Sequence, residues 1–73
     1  MATKETYELG ARNLVARIKK TPSLERKAEI ITNLGNLRFA QYQNTREQRA
    51  RTLAANCYIA ARYLNYRAAI ATA

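Results

Sequence analysis

The chain has 73 residues, with one cysteine, no histidine, no tryptophan and no aspartate; 13 lysines and arginines stand against 5 glutamates, a formal charge of +8. That length allows one small domain spanning 1–73. The lone Cys57 excludes an internal disulfide, and the lack of histidine excludes a zinc centre or a histidine-based catalytic triad. No enzymatic role, cofactor, metal or small-molecule substrate is therefore expected.

A domain of this size buries only about 60% of its unfolded surface. With disulfides and metals set aside, packing between helices and packing between chains are the remaining sources of stability. The charge surplus favours anionic partners, either nucleic acid or an acidic protein surface. The opening residues are polar and begin no apolar segment, so no signal peptide is expected. The longest uncharged run with apolar content, 52–61, is about half the ~20 residues a membrane span needs. A cytoplasmic protein with no membrane span is the expectation, and the free cysteine fits a reducing compartment.

The chain is poor in breakers, with Gly10, Gly35 and Pro22 its only glycines and proline. Few turns and many good helix formers predict an all-α antiparallel three-helix bundle, with helices at about 3–20, 22–42 and 45–71. The first helix takes Thr3 as its N-cap, with Glu5 in the first turn. Tyr7, Ala11, Leu14, Val15 and Ile18 recur at helical spacing and mark its core face. Leu9 is the outlier. Arg12, Arg17, Lys19 and Lys20 fall on the other side.

Pro22 sets the first boundary, since it disfavours helix at Thr21 and suits the first position of a new helix. Thr21 is the expected N-cap. In the second helix Leu24, Ala28, Ile31, Gly35, Phe39 and Tyr42 form one stripe, and Ile30, Leu34 and Leu37 form another beside it. Two stripes predict contact with both other helices. Because the first stripe keeps phase across Gly35, the helix is read as continuous there, with the glycine admitting a close backbone approach.

Residues 43–45 read as the second connection, with Thr45 capping the third helix and Gln48 completing a capping box. This long C-terminal helix, about 40 Å at 1.5 Å per residue, divides into three stripes. Ala50, Leu53, Cys57, Ala60, Ala61, Leu64 and Ala68 form the expected core stripe, with Cys57 a small buried hydrophobe. Ile59, Tyr63, Tyr66 and Ile70 form a second, about 120–140° away, toward the end where the other helices are expected to have run out. They are the candidate oligomer or partner interface of a homo-oligomer. Arg51, Tyr58, Arg62 and Asn65 form a third, roughly opposite the core stripe.

Arginine and tyrosine at helical spacing can reach phosphates and stack on bases. The candidate nucleic-acid-binding residues are Arg46, Arg49, Arg51, Tyr58, Arg62 and Arg67. The pairs Arg26–Lys27 and Lys19–Lys20 could extend that surface if the fold brings them near. A second reading is a helical interaction or assembly module, of the phage- or plasmid-type accessory kind, that docks on an acidic protein through Tyr63, Tyr66 and Ile70.

Overall fold

A computed structural model describes residues 3–72; Met1 and Ala2, part of the polar opening read above for a leader, lie outside them. The fold is the expected all-α antiparallel three-helix bundle: α1 (Lys4–Lys20), α2 (Leu24–Thr45) and α3 (Gln48–Thr72). None of these helices is long and apolar enough to cross a membrane.

Helix α1 begins as its sequence predicts, with the Thr3 hydroxyl accepting from the Thr6 amide. The first connection differs by two residues. Thr21 is not the N-cap of α2 but closes α1: its amide donates to the Ile18 carbonyl, and its hydroxyl donates to the Arg17 carbonyl at 2.7 Å. With Thr21 held as the C-cap of α1, Ser23 caps α2 by accepting from the Arg26 amide, and Pro22 lies in the linker.

Helix α2 runs unbroken through Gly35, as the phase of its stripe requires. It ends at Thr45 rather than Tyr42. The Thr45 hydroxyl donates back to the Gln41 carbonyl at 2.8 Å and accepts from the Glu47 amide at 3.3 Å, so Thr45 closes the last turn of α2 and is not the cap of α3. The reversal is made instead by Arg46, with φ 61° and ψ 20°, and its amide donates to the Tyr42 carbonyl. A left-handed residue just past the last turn is a common helix stop, though glycine or asparagine usually fills it.

The three helices lie side by side with α2 in the middle. Tyr7 lies against Asn44 and Gly10 against Leu37, which makes α1 antiparallel to α2. Gly35 faces Tyr58 and Tyr42 faces Arg51, which does the same for α3. No Cα of α1 comes within 8 Å of one in α3. The result is a slab with Cα extents of 44 × 21 × 14 Å. Its radius of gyration, 13.0 Å, exceeds the roughly 11 Å of a compact chain this long.

The core is built from small residues. Apart from Tyr7 and Ile30, the buried apolar side chains among the described residues are alanines: 11, 28, 50, 54, 61 and 68. Ala60, expected in the core stripe of α3, is exposed, and Ala54 takes its place. In an alanine-rich helix an alanine does not by itself mark a face, so the phase had to come from Leu53, Cys57 and Leu64, which are only half-buried. Val15 and Phe39 also sit further out than their stripes imply, at 38% and 42% exposure.

Candidate nucleic-acid interface

The corrected phase of α3 moves the other two stripes. At about 100° per residue, Ala54, Ala61 and Ala68 point at α2, and Ile59, Tyr63, Tyr66 and Ile70 point directly away from it. All four are more than half exposed. They are not left over where the other helices run out. Ser23 and Leu24 of α2 lie beside Ala71 and Thr72, so α2 spans the whole of α3.

The six residues expected to bind nucleic acid do not share one surface. Arg51, Tyr58 and Arg62 flank the core on one edge of α3, about 60–100° from the direction of Ala54, Ala61 and Ala68 rather than opposite it. Arg49 and Arg67 lie on the other edge, and Arg46 sits in the turn. Tyr58 is half-buried. Its ring lies over Gly35 and its hydroxyl donates to Asn36 Oδ1 at 2.7 Å, so it clamps α3 to α2. Two of the arginines stack on tyrosines: Arg51 lies 5.9 Å from the Tyr42 ring centre, and Arg67 lies 5.9 Å from that of Tyr63.

The fold gathers a different set of cations. Where the chain reverses at Pro22, Arg17 and Lys20 of α1 and Arg26 of α2 line one cleft of about 290 Å³, with Thr21, Glu29, Ile30 and Asn33. Glu29 is the one acid in it. Carrying the antiparallel register of Gly35 with Tyr58 and Tyr42 with Arg51 along the helices puts Arg62 level with Ile31. Arg62 is one turn beyond Tyr58, on the edge that meets Asn36, and so borders the same broad face of the slab. Arg51 continues that edge three turns further back. One member of each basic pair, Lys20 and Arg26, thus joins the surface, while Lys19 and Lys27 do not line the cleft. Sequence proximity across a proline turn signals Lys20 and Arg26; Arg17 reaches the cleft from the polar side of α1, and nothing local to it marks that convergence.

Little of the positive charge is neutralised inside the fold. Among the described residues the one ion pair is Arg38 with Glu8, made through two guanidinium nitrogens at 2.7 and 3.4 Å. Arg38 also donates to Gln41 Oε1 at 2.9 Å. The hydrogen bond from Arg38, aided by its charge and by those of Arg49 and Lys4, holds the Glu8 carboxyl below its ordinary pKa. Burial raises the pKa of Cys57, which disfavours its reactive thiolate. The described residues hold no cluster of three metal-ligating side chains.

Comparison with protein-family models, curated proteins and solved structures finds no match to this chain.

Proposed function

We propose that this chain is a non-enzymatic, self-associating cytoplasmic protein that holds nucleic acid through its phosphates. The backbone would lie along the broad face that carries Arg17, Lys20, Arg26, Arg62 and Arg51. One observation carries the reading: among the described residues, which include all 13 lysines and arginines, only Arg38 has a carboxylate partner. Three of the other twelve converge on a single cleft. Charge left unpaired by the fold is available to an external anion, and phosphate contacts dominate affinity in such complexes. Base-specific reading is not part of the proposal, because the helices are long and side by side, with no short recognition helix projecting into a groove.

Salt dependence tests it. Engagement of about five phosphates gives a log–log slope of affinity on salt near −4 to −5. Replacing Arg26 and Arg62 by alanine should weaken binding across sequences and reduce the slope by about two. An unchanged affinity and slope would remove this face from the proposal. The purified protein should also carry nucleic acid at low salt and lose it in a high-salt wash, read as a falling 260/280 ratio. A clean spectrum at low salt would turn the reading toward an acidic protein partner.

A further inference from the structure

The outward ridge of α3 has a regular spacing. Ile59, Tyr63, Tyr66 and Ile70 follow one another at intervals of four, three and four residues, the repeat of a coiled-coil seam. Their exposures are 63%, 58%, 64% and 56%. The matching outer positions of the repeat, Ala54, Ala61 and Ala68, are the ones buried on α2. Neither α1 nor α2 therefore stands between this seam and another helix.

Area also points to a missing neighbour. The chain exposes 5349 Å², whereas a compact monomer of 8.3 kDa exposes about 4600 Å² by the scaling of surface with mass. The excess, on the order of 800 Å², is what one partner buries in an interface of standard size.

Charge decides the orientation. Helix α3 contains no acid, and its cations beside the seam are Arg62 and Arg67. A parallel, in-register pair of seams sets each residue of one flank against the residue five further on in its neighbour. Arg62 would then meet the partner's Arg67, twice over, with nothing to compensate. An antiparallel pair centred between Leu64 and Asn65 sets Arg62 against the partner's Ala69 and Arg67 against the partner's Ala60. Small alanines leave room for the arginine stems and keep their heads in water.

We propose that a second copy of the chain docks on this ridge in the antiparallel sense, with Ile59 against the partner's Ile70 and Tyr63 against the partner's Tyr66. The overlap runs over residues 57–72, about 24 Å of helix. This deepens the self-association named under the proposed function, and the two can fail separately.

The experiment combines molar mass with cross-linking. Light scattering should give a dimer at high micromolar concentration, and Ile59→Lys with Tyr66→Lys should give a monomer with unchanged helical circular dichroism. For orientation, Ile59→Cys and Ile70→Cys are placed separately in a Cys57→Ala background. The two chains are unfolded together, refolded and oxidised. The antiparallel seam yields cross-linked dimer from the mixture and little from either variant alone. Cross-linking of each variant with itself would overturn the antiparallel arrangement and leave self-association standing. A wild-type chain that stays monomeric at high micromolar concentration would overturn both. So would a monomer whose Tyr63 and Tyr66 become protected only when RNA, anionic vesicles or an acidic protein is added.

Discussion

Against α3, helix α2 presents Ala28 and Gly35 to a row of alanines, and the one side-chain hydrogen bond between them among the described residues joins Tyr58 to Asn36. Against α1 it presents a polar set: Arg38 bridges Glu8 and Gln41, Asn44 donates to the Tyr7 hydroxyl, and Gln41 is the largest fully buried side chain. The first contact is held by close approach of backbones and the second by directed polar bonds. Added volume should therefore damage the α2–α3 pair, while lost polar groups and changed charge should damage α1–α2. The difference also explains how so small a chain keeps a glycine in mid-helix. At Gly35 a Cβ would lie 2.9 Å from Tyr58 Cε1 and 3.1 Å from Cys57 Cβ, so the glycine's unfavourable propensity is offset by the contact it permits.

The largest effect is expected on the α1 side. Tyr7→Ala removes a buried ring, a loss of about 3 kcal/mol. It should free α1 while α2 and α3 remain paired, so limited trypsin digestion should cut at Lys19 and Lys20 far faster than in the wild type. Cleavage spread evenly over the chain would mean the two contacts are not separable. Ala61→Leu comes next. Overpacking a helix contact costs about 1–3 kcal/mol, and urea denaturation should show that loss without early release of α1.

Gly35→Ala sharpens the same point because two terms oppose. The substitution gains about 1 kcal/mol of helix propensity and loses about 1–3 kcal/mol to overpacking. The Cys57 Cβ cannot move without its helix, so a net loss of about 1 kcal/mol is expected. A more stable variant would show that α3 can shift outward freely.

The smallest effect is the pH dependence of the Glu8 pair. Its carboxyl has a lowered pKa in the folded chain. The stability it contributes is complete above the ordinary glutamate value of about 4.3 and is lost as pH falls through the lowered folded value. Glu8→Gln should flatten that part of an acid titration of stability. The wild-type loss should be accompanied by faster amide exchange in α1 before α3.

Much of this fold is legible in the sequence. The three helices, the Thr3 cap, the continuity across Gly35 and the exposed Ile59–Tyr63–Tyr66–Ile70 row all follow from spacing and from the scarcity of breakers. What escapes is competition among similar groups. Thr21 and Ser23 are both able to cap, and the choice depends on which residue the preceding helix holds as its own C-cap. Ala54 and Ala60 are chemically identical, so only the packing partner distinguishes inside from outside. The Arg38–Glu8 pair spans 30 residues and has no local signal. The cleft at Arg17, Lys20 and Arg26 shows the same limit: the basic pairs were visible, but the members that converge are set by how α1 and α2 cross.

The flat arrangement of the helices fixes an order of opening. In a closed bundle each helix leans on two others, and all three must loosen together. Here α1 can peel away and leave α2 on α3, and α3 can peel away and leave α2 on α1, but α2 cannot leave without breaking both contacts. Local opening follows such differences in neighbour support. The middle helix should therefore hold the slowest-exchanging amides, and the chain should behave as a spine with two independently detachable flanks.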